Sequence, residues 1–134
     1  MKLGPYCTNA DMTLEELSGL KADDPTNAPT YMVKTVLGAW KKPLSKLNTE
    51  EVWFLVSQQV GLPYILDLIW PILQDNPLYY FDKYEGDVLS VLLRAPESAW
   101  IKRPEYQAEL ADLKRRALLA PSSINDMFCE RLTQ

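Results

Sequence analysis

Histidine is absent from the 134 residues. That excludes every mechanism built on an imidazole: the Ser-His-Asp triad, a Cys-His pair, His-ligated zinc and His acid/base work. Glycine is scarce, with five residues isolated at positions 4, 19, 38, 61 and 86, so no Gly-rich loop is present to cradle a phosphate. The two cysteines, Cys7 and Cys129, lie at opposite ends of the chain. A four-Cys zinc site is therefore excluded, and two cysteines do not make a disulfide framework. They could bridge; the compartment argument favours free thiols in a reducing cytoplasm. No apolar stretch reaches the roughly 18 residues a membrane helix needs. The longest is broken by Asp67, Pro63 and Pro71. Leu3-Gly4-Pro5-Tyr6 does not begin an apolar leader core, so a cytoplasmic location without membrane contact is expected. A formal charge of −4 and a pI near 4.8 argue against a nucleic-acid backbone as partner.

Apolar residues make up 47% of the chain, too many for a disordered tail. The length suits one domain over residues 1–134. Ten prolines cut it into short pieces. Thr13 and Glu16 form a capping box, and Leu14, Leu17 and Leu20 follow at helical spacing. Met32, Val33, Val36, Leu37 and Trp40 share one helix face. Asn48 and Glu51 form a second capping box, opening a helix over about residues 49–60 whose inner stripe is Val52, Leu55, Val56 and Val60. Trp53 and Phe54 make that helix apolar almost all round, which predicts a central position. Gly61 suits the left-handed residue that ends it, and Pro63 suits the first turn of the next. Pro71 falls inside the following helical pattern and must kink or end it. Val88 to Leu93 predicts another apolar helix. Pro104 opens a longer one with Tyr106, Leu110, Leu113 and Ala117 inward, and residues 122–132 suggest a last short helix. Leu78-Tyr79-Tyr80-Phe81 is the best candidate for a strand, and it is short. The expectation is an all-α, compact single-domain bundle of six to eight short helices, with its core in residues 52–60, 65–73 and 88–93.

Candidate chemistry is sparse. Ser18-Gly19-Leu20-Lys21 matches a Ser-x-x-Lys nucleophile–base spacing, but its companion motifs are missing and an ordinary helix end explains it. Asp82, Glu85 and Asp87 cluster without the spacing of a calcium loop, so no metal or other cofactor is expected. Asp87 has a structural reading as a helix cap. Charge is more informative. Residues 44–99 carry eight acidic against three basic groups, net −5, while the segments on either side are close to neutral. Tyr79, Tyr80 and Tyr84 are interleaved with this acidity. Tyrosine offers large contact area and a polar tip at little entropic cost, so an acidic, tyrosine-bearing loop suits a basic protein partner. The basic run Lys114-Arg115-Arg116 reads as a solvated helix face.

Two blocks then stand out. One is Lys42-Pro43-Leu44 with Leu47-Asn48-Thr49-Glu50-Glu51-Val52 and Gln58-Gln59-Val60-Gly61-Leu62. The other is Asp75-Asn76-Pro77-Leu78 with Tyr84-Glu85-Gly86-Asp87-Val88-Leu89 and Leu92-Leu93. With Leu14-Glu15-Glu16-Leu17 before them and Trp100 after Pro96, they resemble the helical CdiI-type immunity proteins of contact-dependent growth inhibition over residues 13–103, most strongly 42–93. Pro71 and the Tyr79-Tyr80-Phe81-Asp82 stretch depart from the family pattern. The resemblance implies a non-enzymatic cytoplasmic protein that binds the toxic C-terminal domain of its cognate CdiA effector in a 1:1 complex. The toxin implied is a basic nuclease. Pro43, Gly61, Pro77, Gly86 and Asp87 would then be structural. Toxin contacts would fall in the variable loop, at Tyr79, Tyr80, Asp82, Tyr84 and Glu85. Two other readings compete: a helical adaptor or regulatory subunit for another protein, and a small carboxylate-based enzyme. An enzyme would show a deep pocket holding a buried carboxylate.

Overall fold

The computed structural model describes residues 11–119. Six α-helices follow one another among these residues: α1 (Leu14–Ser18), α2 (Tyr31–Trp40), α3 (Thr49–Ser57), α4 (Leu62–Asp75), α5 (Asp87–Leu93) and α6 (Pro104–Leu118). Short 3-10 turns at Pro25–Asn27, Leu44–Lys46 and Glu97–Trp100 lie in the connections. No strand forms among the described residues; the isolated bridges Thr13–Pro43 and Tyr80–Glu85 are the nearest approach to one. The architecture is the all-α one the sequence predicts. The expected helix at 122–132 and both cysteines lie outside the described residues.

The first three helices start where a side chain satisfies free N–H groups. The Glu16 amide donates to Thr13 Oγ1 at 3.1 Å, and Glu16 Oε1 accepts from the Thr13 amide at 3.2 Å. The same reciprocal pair joins Asn48 and Glu51 at 2.8 and 2.9 Å. There Lys42 Nζ also holds Glu51 Oε2 at 2.8 Å, which lets this carboxylate sit buried. Thr30 caps α2 through the Val33 amide at 3.1 Å.

The helix ends differ from the expectation in two places. Gly19, in left-handed conformation, stops α1 after Ser18, so Leu20 lies beyond the helix and is exposed. The end of α3 falls at Ser57, because Gln59, with φ 56°, supplies the left-handed residue that closes the helix ahead of Gly61. The Val60 amide then returns to Leu55 O at 2.9 Å and the Gln59 amide to Val56 O at 3.0 Å, the double closure of a Schellman motif. Gly61, with φ 67°, instead precedes α4. A Cβ there would stand 3.1 Å from Leu14 Cδ2 and 3.2 Å from Trp40 Cζ3, so glycine lets α1 and α2 close over this turn.

Helix α3 is central as predicted, packing against α2, α4 and α5. Val52, Leu55 and Val56 meet Ile65, Leu66, Leu68, Ile69, Trp70 and Leu73 of α4 and Val88, Leu89 and Leu92 of α5 in one buried cluster. The face of α2 is less buried than its periodicity suggests. Of its five periodic residues only Trp40 is buried, and its indole N–H donates to Leu20 O at 2.7 Å.

Helix α4 does not end at Pro71; it continues to Asp75. A proline inside a helix costs about 3 kcal/mol. The buried aliphatics and Trp70 on either side, at roughly 1.5–3 kcal/mol each, offset that. One polar residue is buried among them. Asp67 accepts from Arg103 Nε and Nη2, both at 2.8 Å, and from Tyr106 Oη at 2.9 Å. Tyr106 stacks on Trp70 (4.4 Å, 20°), Trp100 meets the same indole edge-on at 6.0 Å, and the Trp70 N–H donates to Glu109. This cluster fastens α6 to α4.

Two substitutions test the packing. Gly61→Ala is expected to lower unfolding free energy by about 1–3 kcal/mol, because it combines left-handed strain with a clash. Asp67→Ala should cost roughly 3 kcal/mol or more by leaving Arg103 half-buried without its carboxylate. Urea denaturation with an unchanged m-value checks both.

Candidate functional site: a tyrosine-bearing loop

The segment between α4 and α5, residues 76–86, is fixed at both ends. Asn76 Oδ1 accepts from the Leu78 amide at 3.1 Å, an Asx turn that leads the chain out of α4. The Gly86 amide donates to Leu78 O at 3.0 Å and the Asp87 amide to Tyr84 O at 3.1 Å, so the loop folds back on itself. Leu78 and Phe81 are buried and anchor it to the core.

Asp87 organises the centre. It is the first residue of α5, with Gly86 at the capping position. It is therefore not the cap its position in the sequence suggests; its carboxylate, 0% exposed, reaches one amide of its own helix and three of the loop. Oδ1 accepts from Val88 N at 2.7 Å and Phe81 N at 3.2 Å, and Oδ2 from Asp82 N and Lys83 N, both at 2.9 Å. This explains why residues 78–81, the best candidate for a strand, do not form one. The amides of 81–83 have a carboxylate as acceptor, and pairing shrinks to the single Tyr80–Glu85 bridge. It also leaves Asp87 with its oxygens engaged by backbone. Among the described residues, no group of three or more acidic, Cys or His side chains is placed to hold a metal ion.

The five residues picked from sequence share this loop but not one environment. Tyr80 is 54% and Tyr79 36% exposed, and Glu85 is exposed as well. Tyr79 leans edge-on against buried Phe81 at 4.7 Å, which fixes its ring while leaving part of it open. Tyr84 is half-buried, its hydroxyl 2.8 Å from Ser90 Oγ. Ser90 Oγ in turn donates to Asp87 O at 2.8 Å, so Tyr84 ties the loop to α5. Asp82 is half-buried and pairs with Lys83 Nζ at 3.2 Å, which offsets part of the loop's negative charge.

The structure adds four residues that sequence reasoning missed as a group. Lys83 Nζ stands 5.9 Å from the centre of the Phe54 ring on α3, and Phe54 meets Tyr31 of α2 edge-on at 6.2 Å. Tyr31 Oη donates to Glu50 Oε1 at 2.5 Å. That bond to a carboxylate pushes the Tyr31 phenol above the ordinary tyrosine range, and the charge of Asp82 adds to the effect. No sequence signal joins these residues, because they sit on α2, on α3 and in the loop.

The other chemical candidates are structural here. Ser18 Oγ donates to Leu14 O at 2.6 Å and accepts from the Leu20 amide at 3.1 Å, closing α1. One surface hollow of about 340 Å3 is lined by Gln59, Gly61, Leu62, Pro63, Ser98, Ala99, Ile101 and Lys102. Another, about 210 Å3, lies between Leu20, Lys21, Ala22, Val36, Leu37, Trp40 and Val60. Neither is lined by a carboxylate.

These features define a small all-α domain that holds exposed tyrosines on a loop braced from beneath by one buried carboxylate. The chain belongs to the family of CDI immunity proteins, whose pattern matches residues 16–110 and so includes the loop and the helices beneath it. No curated protein and no solved structure matches the chain significantly. No helix among the described residues is long and apolar enough to cross a membrane.

The bracing role of Asp87 has a measurable consequence. Asp87→Ala leaves buried amides without an acceptor, at about 1–3 kcal/mol each, so a stability loss of at least roughly 3 kcal/mol is expected. Hydrogen exchange should accelerate first at Asp82 and Lys83. Equal protection in both proteins would show that the carboxylate does not hold the loop.

Proposed function

We propose that this chain is the immunity protein of a contact-dependent growth inhibition pair. In this reading it neutralises the toxic C-terminal domain of its cognate CdiA effector by forming a 1:1 complex with it. The observation that carries the reading, beside the family match, is the braced loop of residues 79–85. A loop already held in one conformation loses little entropy on docking, and Tyr79 and Tyr80 supply the amphipathic contact area that interface anchors need. Asp82, Glu85 and the half-buried Tyr84 complete the proposed contact. The toxin is a basic nuclease in this reading, because a protein that grips phosphates is cationic and the −5 of residues 44–99 complements it. The protein acts in the cytoplasm, as one immunity unit, without catalysis of its own.

Co-expression tests the reading. Cells producing the C-terminal domain of the neighbouring effector are expected to survive when this chain is present, and the two proteins should co-purify. Loss of viability with both proteins folded would overturn it. For the loop, Asp82→Lys with Glu85→Lys should slow association about tenfold at low salt and flatten its salt dependence. Stopped-flow or surface-based kinetics reads this directly, and an unchanged on-rate would place the interface elsewhere.

A further inference from the structure

We infer that the toxin-binding surface extends from the loop across to Tyr31 and Glu50, and that this extension receives an arginine side chain of the toxin domain. The inference rests on the binding reading above and deepens it. Tyr31 opens α2 and is 64% exposed, the most exposed tyrosine among the described residues. Its ring meets Phe54 edge-on at 6.2 Å, which fixes its orientation without covering it. Its hydroxyl donates to Glu50 Oε1 at 2.5 Å, so its one proton is engaged and the phenol oxygen keeps only acceptor capacity. Glu50 is half-buried, and none of the ion pairs among the described residues includes it. The nearby cation, Lys83, is engaged by Asp82 and lies against Phe54.

The pair therefore offers two acceptors and an aromatic surface, with negative charge and no donor. A guanidinium is the side chain that fits all three. It is planar, carries five N–H donors in a rigid fork, stacks on aromatic faces and sheds its hydration more readily than an ammonium. The connection to the loop runs through Phe54 and Lys83 to Asp82, so one docking partner spans both parts.

The experiment measures the affinity of the cognate toxin domain for the wild-type chain, Glu50→Gln, Tyr31→Ala, Tyr31→Phe and the Asp82→Lys/Glu85→Lys double variant. Both residues reach the surface, and Glu50→Gln and Tyr31→Phe preserve shape, so thermal melts should stay close to wild type. Glu50→Gln and Tyr31→Ala are expected to weaken binding about tenfold each, with Tyr31→Phe losing less because the ring remains. Phenylglyoxal footprinting of the toxin at saturating immunity protein identifies the side chain captured. At least one toxin arginine should be shielded in the wild-type complex and reactive in the Glu50→Gln complex. Wild-type affinity for both the Glu50 and Tyr31 variants, with weakened loop variants, would overturn the extension and leave the loop reading standing. Wild-type affinity throughout would overturn both. Identical arginine protection in the wild-type and Glu50→Gln complexes would overturn the assignment to arginine.

Discussion

The carboxylate of Asp87 is the interaction on which the tyrosine-bearing loop depends. An isolated charge without solvent contact is unstable in a protein interior, so it must be matched by donors. Here the donors are four backbone amides, three of them from the loop that has just left the core. The arrangement solves two problems together. The loop's N–H groups, turned away from water, find an acceptor, and the aspartate finds the positive ends of four dipoles. The loop is consequently tied to the first turn of α5 through one side chain. Tyr84, Ser90 and the Asp87 carbonyl add a second tie beside it.

A second buried aspartate shows the same rule met with charge. Asp67 lies on the helix with the longest apolar stretch, where a polar residue is least expected. Its two oxygens are matched by a bidentate guanidinium and a phenol, so the cost of burial is offset within one contact shell. The partners come from just before and inside α6, and the ring stack on Trp70 places them. One polar contact inside an apolar field thereby sets where the last described helix lies. The same helix α4 tolerates Pro71 because burial on either side outweighs one missing hydrogen bond.

Function, in the reading proposed here, uses the rigidity that these contacts produce. Exposed aromatics bind well when their rings are held before docking, since ordering a free side chain costs about 0.5–1.5 kcal/mol. Tyr79 is held by Phe81 and Tyr31 by Phe54 and Glu50, each with part of its ring left open. Acidic groups beside them serve approach and selectivity more than raw affinity. In that reading, helical scaffold and tyrosine-bearing loop divide the work: the first fixes geometry, the second supplies chemistry.

Local rules were legible in the sequence because they act over three or four residues. The capping boxes at Thr13 and Asn48, the central apolar helix, the core of α4 and α5 and the loop bearing the tyrosines all follow from spacing and residue type. The ends of α1 and α3 were read less well. Gly19 follows the local preference for glycine in the left-handed position, whereas Gln59 takes that position against it, two residues before Gly61. Only the tertiary structure decided what Asp67 and Asp87 do, that α4 passes through Pro71, and that Tyr31, Glu50, Phe54 and Lys83 lie together. Those outcomes depend on desolvation and on contacts between distant segments. A buried carboxylate has no meaning until the fold has brought donors to it, and the chain order carries no record of which donors those will be.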